Sequence, residues 1–179
     1  MEKLADVIKE TNTYFLNKTQ QQVNTALTIR NWLIGFYIVE YEQNGNDRAT
    51  YGTGLLKVLA KRLLEKGIKS LQERNLYLCR DFYQAYPQIL QSVTAKLYIA
   101  DFQLIAILQL SLPDDRISQV MTHLSFSHFI ELLKADAGPK GRFYEEQAIK
   151  NNWPVKELKR AIDSLLYERT GLSRDGIST

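Results

Sequence analysis

Seven cations lie between Lys57 and Arg80 (Lys57, Lys61, Arg62, Lys66, Lys69, Arg74 and Arg80), opposed only by Glu65 and Glu73. The stretch carries a local balance of +5 in a chain of 179 residues whose total is +3. Ammonium and guanidinium groups at this density suit phosphate, because they replace the counterions condensed along a nucleic-acid backbone. Arginine also matches the edge of guanine, and asparagine that of adenine. Arg74, Asn75, Tyr77 and Arg80 fall in or near one sector of a predicted helix and form the candidate reading face. Lys57, Lys61 and Lys69 then serve as cations that position the backbone. Free amides at a helix start capped by Ser70 add a seat for phosphate. The competing expectation is a solvated helix face with no ligand.

A second basic set, Lys156, Lys159 and Arg160, is diluted by Glu157 and Asp163. Glu157 and Arg160 stand at the spacing of an intrahelical ion pair. Packing or dimerisation is the expected role there, with phosphate contact as the alternative.

The remaining reactive side chains are few. His123 and His128, the only histidines, are five positions apart, poor spacing for one helix face, and no Cys or acidic cluster completes a metal site. Ser125 and His128 lie close in sequence, which does not establish nucleophile–base geometry. A cap and a structural hydrogen bond are expected instead. Cys79 is the single cysteine; it excludes an internal disulfide and, lacking a base partner, is expected to be an inert packing group. Tyr77, Tyr83, Tyr86 and Tyr98 are candidates for stacking on bases or on a protein partner. Trp32 is expected in the core, and Trp153 as a plug beside a turn.

Helices must position these groups. Nine glycines and four prolines punctuate the chain rather than pervade it. Apolar spacing predicts helices over 3–17 (Leu4, Val7, Ile8, Phe15, Leu16) and about 19–43, the latter with a stripe from Val23, Ala26 and Leu27 to Tyr37, Ile38 and Tyr41. Gly35 interrupts that stripe and is expected to admit another helix at close range. After a loop at Asn44–Asp47, a helix over 54–66 is capped by Thr53 and closed by Gly67. Ser70 and Glu73 match a capping box for the next helix, which runs to Ala85 before Pro87. The segment 88–110 is too densely apolar for periodicity to decide helix or strand. Leu112–Arg116 reads as a turn. A helix over 127–135, capped by Ser125 or Ser127, precedes the strongest break, Ala137–Gly141. Helices over 142–150 and from Pro154 to Arg169 follow, turning at Asn151–Asn152, with Gly171 beyond the end.

The expected fold is therefore all-α, a multi-helical domain containing helix-turn-helix-like pairs. The 45% hydrophobic content supports a folded protein. The first residues lack the apolar segment of a signal peptide, and no run of about 18 apolar residues predicts a membrane span. A cytoplasmic protein without a membrane partner is expected.

Several strings extend the reading. Ile34-Gly35 through Val39, Tyr51-Gly-Thr-Gly-Leu-Leu56, Arg74-Asn75-Leu76 and Phe82 through Pro87 resemble the N-terminal domain of the YhcG-like bacterial proteins. Leu124 through His128, Phe143-Tyr-Glu-Glu, Asn152-Trp153, Glu157 through Arg160 and Ser164 through Arg169 extend the resemblance across residues 15–172. Pro154 departs from it, standing where a small hydroxylated residue is more usual. The resemblance implies a domain that precedes a nuclease domain of the PD-(D/E)xK type, so a nuclease domain or another protein is an expected partner. It implies residues 1–172 as the domain, divisible as 1–136 and 142–172, with 173–179 a polar tail or linker. The chain is then a piece of a longer protein or a stand-alone relative. Magnesium is expected only for the nuclease domain, and no cofactor for this chain. The expected function is a non-catalytic module that binds or targets DNA; the alternative is an oligomerisation or docking domain, including a homodimer.

Overall fold

The computed structural model describes residues 2–43, 54–87, 89, 116–135 and 138–175. Expectations for the Asn44–Asp47 loop, the Thr53 cap, Tyr98, the apolar segment after Leu90 and the turn before Arg116 lie outside these residues. All the described elements are helical: α1 (Glu2–Gln43), α2 (Leu55–Glu65), α3 (Glu73–Ala85), α4 (Arg116–His123), α5 (Phe126–Leu132), α6 (Pro139–Lys150), α7 (Val155–Asp163) and α8 (Leu166–Asp175), with a 3-10 turn at Leu133–Ala135.

α1 replaces the two helices expected over 3–17 and 19–43. Nothing between them breaks a helix. Thr19, the expected start, instead bonds its hydroxyl back to the Phe15 carbonyl at 2.9 Å, as a threonine inside a helix does. At 1.5 Å per residue, the 42-residue helix is about 63 Å long. Its two halves differ. Residues 2–23 are exposed on every side, so Leu4 and Phe15, 57% and 60% exposed, are not the core positions expected. Ile29, Trp32, Leu33, Ile38 and Val39 are buried, whereas Val23, Ala26, Leu27, Tyr37 and Tyr41 of the expected stripe are exposed.

α3 packs along this buried half of α1, and Gly35 is where the two backbones meet. A Cβ there would stand 2.1 Å from the Cys79 carbonyl oxygen and 2.8 Å from Tyr83 Cβ. The expected close approach is therefore real, and only glycine permits it. Leu76, Cys79 and Phe82 form the buried face of α3. Leu78, beside this face, is half-buried.

The main core gathers Trp32, Phe82, Met121, Phe129, Tyr144 and Leu158 from six helices. The Trp32 indole N–H donates to the Tyr86 carbonyl at 3.0 Å, which satisfies its buried polar atom. Phe82 and Phe129 lie with ring centroids 4.6 Å apart. A smaller cluster of Ile38, Leu56 and Leu76 fixes α2 to α1 and α3.

Local boundaries differ in several places, and α6 begins at Pro139, so Pro139–Gly141 of the expected break form its first turn. The Ser70–Glu73 capping box does not form: α3 begins at Glu73 with Gln72 at the N-cap. The final predicted helix is two, α7 and α8, broken at Ser164–Leu165, where Leu165 takes φ 55°. Pro154 is the N-cap of α7 rather than its first helical residue, and Gly171 lies inside α8.

Candidate nucleic-acid interface

α2 is amphipathic by one turn spacing. Leu56 is buried and Leu59 and Leu63 are half-buried, while Lys57, Lys61, Arg62 and Lys66 are exposed. Lys57 and Lys61 stand one turn apart, as do Arg62 and Lys66. Gly67, at φ 87°, ends the helix. Its amide bonds to the Leu64 carbonyl and that of Ile68 to the Leu63 carbonyl, both at 2.9 Å. This double bond closes the C-terminus in the left-handed conformation glycine tolerates. The chain then presents Lys69 and Ser70, both exposed, before entering α3.

Ser70 acts through its backbone. The Asn75 side-chain amide donates to the Ser70 carbonyl at 2.7 Å and pins the turn to the first part of α3. One of the two Asn75 N–H donors is thus occupied, and the residue is exposed. Arg74 beside it is exposed and without an ion pair among the described residues. The same holds for Lys57, Lys61, Arg62, Lys66 and Lys69.

Arg80 goes elsewhere. Its guanidinium lies 3.7 Å from Glu42 of α1 and 3.4 Å from Asp81, and 4.9 Å from the centroid of the Tyr77 ring. Six residues of helix leave Arg80 about 120° around the axis from Arg74. Lys57, Lys61, Lys69, Ser70, Arg74 and Asn75 are thus exposed residues of α2, α3 and their connection. The structure turns Arg80 and Tyr77 towards α1, where Arg80 acts as a clamp. Arg62 and Lys66 belong with the exposed set; their one-turn spacing on a basic helix was the sequence signal for them.

The α6–α7 pair is built on the same plan with a different balance. Asn152 takes φ 48° after α6. Its amide and that of Trp153 bond the Ile149 and Ala148 carbonyls at 3.2 and 2.9 Å, so asparagine does here what glycine does after α2. Leu158 and Ala161 of α7 are buried in the main core. Lys156 and Lys159 are exposed, while Arg160 pairs with Glu157 at 3.4 Å, as its spacing predicted.

His128 joins α5 to this pair. Its Nδ1 accepts the Ser125 amide at 3.1 Å and lies 2.8 Å from Ser125 Oγ, while Nε2 donates to the Trp153 carbonyl at 3.0 Å. Both ring nitrogens are committed to the fold, so Ser125 and His128 form a helix cap, not a nucleophile and base. Burial holds the imidazole below its ordinary pKa, against the opposing bond to Trp153. His123 is exposed, its Nδ1 2.7 Å from the Gln119 carbonyl. Burial pushes the Cys79 thiol up to about 11, which keeps it protonated. Tyr86 packs edge-on to Phe129 at 5.0 Å, and burial, with Glu145 second, raises its phenol pKa. Tyr83 packs against Trp32 at 5.1 Å. Neither tyrosine presents an open stacking platform. Among the described residues there is no group of three or more His, Cys, Asp or Glu placed to hold a metal ion, and no helix long and apolar enough to cross a membrane.

The model of the family described as "DUF1016 N-terminal domain" matches residues 6–169. The chain is 31% identical over 162 residues to "Putative nuclease YhcG" of Escherichia coli (strain K12). That alignment covers 88% of this chain and 43% of the relative, so the chain spans less than half of the relative's length. No solved structure matches.

Proposed function

This chain belongs to the DUF1016 N-terminal domain family, and from that premise we propose that it is a non-catalytic, cytoplasmic module that brings a nuclease-associated protein to DNA. The observation that carries the proposal is the set of six exposed cations on α2, α3 and their connection, none held by an ion pair among the described residues. Unpaired cations are the ones a phosphate backbone can recruit without first breaking a salt bridge. Here α2 and α3 work as a helix-turn-helix-like pair: Lys57, Lys61 and Lys69 grip phosphates while Arg74 and the exposed amide of Asn75 approach base edges. Lys156 and Lys159 extend the contact to a second stretch of backbone. A magnesium-dependent nuclease domain supplies the chemistry in the full-length protein, and residues 1–172 form the targeting unit.

The reading is tested by fluorescence anisotropy on labelled duplex DNA across a salt series. Log K falls linearly with log salt, with a slope of about −0.9 per phosphate neutralised, so four contacts give about −3.6. Lys61→Glu/Lys69→Glu/Arg74→Glu abolishes binding without changing the far-ultraviolet circular dichroism. Binding with no salt slope, or binding that survives the triple reversal, overturns the assigned face. A second reading, docking of a protein partner, draws on a groove beside the same cations.

A further inference from the structure

Between α1 and α2 runs a groove of about 410 Å³. Ile34 and Ile38 of α1 form one wall, and Val58, Leu59 and Leu63 of α2 the other. Its lining is overwhelmingly apolar, yet Val58 is 42% and Tyr41 40% exposed, so apolar surface faces solvent. Arg62 enters the lining, Lys66 follows one turn later, and Lys61 flanks them. All three are exposed and carry no ion pair among the described residues. Glu65 is the only acid on α2.

A phosphate backbone has no use for an apolar trough, since its affinity comes from charge. An apolar trough with a charged rim has the form of a helix-in-groove site, in which residues at i, i+3/i+4 and i+7 supply the anchors. We infer that the α1–α2 groove docks an amphipathic helix of a protein partner, with aliphatic or aromatic anchors seated between Ile38 and Val58 and Asp or Glu side chains meeting Arg62, Lys66 and Lys61. The basic rim fixes the sign of the partner's flanking charge, and the lack of a strong acid counterpart on α2 argues against a basic one. This docking site goes beyond the nucleic-acid reading and does not depend on it.

The test uses the full chain and three fluorescein-labelled peptides of about 18 residues, or five helical turns. The first carries Leu or Phe at i, i+4 and i+7 with Glu and Asp on the flanks. The second has the same composition in permuted order, and the third replaces the acids with Lys. Saturable binding of the first, at least tenfold tighter than either control, is expected. Val58→Glu, a substitution at an exposed site, weakens that binding at least tenfold. In the unsubstituted chain, amide shifts on adding the first peptide concentrate at 34–41 and 55–66. Equal binding of the ordered and permuted peptides, no saturable binding, or indifference to Val58→Glu overturns the inference. So does a dimer of the chain itself that Val58→Glu dissociates, since the occupant is then a second copy. A chain that binds the peptide but no DNA leaves the groove standing and removes the nucleic-acid reading.

Discussion

The α2–α3 and α6–α7 pairs use one local plan to different ends. Each has a helix closed by a left-handed residue, a short connection and a second helix with at least one exposed cation, Arg74 on α3 and Lys156 and Lys159 on α7. In the first pair α2 is held by a small cluster centred on Ile38, Leu56 and Leu76, α3 also reaches the main core through Phe82, and six cations stay unpaired among the described residues beside an apolar groove. The second sinks Tyr144, Ala148, Leu158 and Ala161 into the main core, is tied to α5 through His128 and Trp153, and pairs Arg160 with Glu157. The local sequence sets the succession of helix, turn and helix, while burial and charge pairing decide which cations stay unpaired. A basic helix pair is thus a candidate interface only to the extent that its charges are not already spent on the fold.

The largest expected effect breaks the mounting of the first pair. Gly35→Ala places a methyl 2.1 Å from the Cys79 carbonyl, a backbone atom that cannot rotate away. Overpacking of this kind costs about 3 kcal/mol. Urea denaturation should show the midpoint falling, with DNA and peptide binding lost along with α3's seat. An unchanged midpoint would falsify the close approach as the reason for glycine here.

The tie of the second pair is next. His128→Ala removes the bond to Trp153 and the imidazole half of the α5 cap, at about 1–2 kcal/mol. The native chain also carries a pH dependence of fixed sign. The folded-state pKa of His128 lies below the ordinary value of 6.5, so the folded protein favours the neutral ring. This contribution is fully present above about pH 6.5 and is lost as the pH falls through the lower folded value. Chemical denaturation from pH 8 to 5 should show that decline in the wild type and a flatter profile in His128→Ala. Equal profiles would remove His128 from the account. DNA affinity measured at pH 8 should hardly change, because the tie serves the pair outside the proposed main interface.

Arg80→Ala separates clamp from reader. The Glu42 and Asp81 pairs are partly exposed, Arg80 being 27% exposed, so their loss costs about 1 kcal/mol or less. Duplex affinity should fall less than threefold, against about tenfold for Arg74→Ala. The reverse order would return Arg80 to the reading face.

Legibility followed the range of the forces involved. Gly35, Gly67 and the Asn151–Asn152 turn were readable because backbone stereochemistry is local: a missing Cβ or a tolerated positive φ shows in the residue type. The Glu157–Arg160 pair was readable for the same reason. The continuity of α1 was not, because a change in the phase of the apolar stripe resembles a boundary although Asn17, Lys18 and Thr19 contain no breaker. The break at Leu165 was also hidden, since leucine is a poor left-handed residue and nothing in its type marks a turn. Arg80 looked like a partner of Arg74 until Glu42, 38 positions away in sequence, claimed it. The family resemblance was readable across nearly the whole domain, while the groove depends on how α2 sits on α1 and no spacing within either helix contains it.

The smallest effect probes the two turns directly. Gly67 and Asn152 occupy equivalent positions after α2 and α6, at φ 87° and 48°. Asparagine is the second-best residue for that conformation, and glycine reaches it without a steric penalty. Asn152→Gly should therefore change stability by only a few tenths of a kcal/mol, because relief of the left-handed strain is offset by the larger entropy of the unfolded chain. Gly67→Asn should cost a similar few tenths or slightly more, its φ lying further from the asparagine optimum. A Cβ at Gly67 meets nothing within 4 Å, so sterics with neighbours do not enter and the comparison isolates backbone conformation. Thermal melts of the two single variants should move by no more than a degree or two. A large loss from Gly67→Asn would show that the first turn needs glycine for more than its left-handed φ, and that the two pairs do not share one closing device.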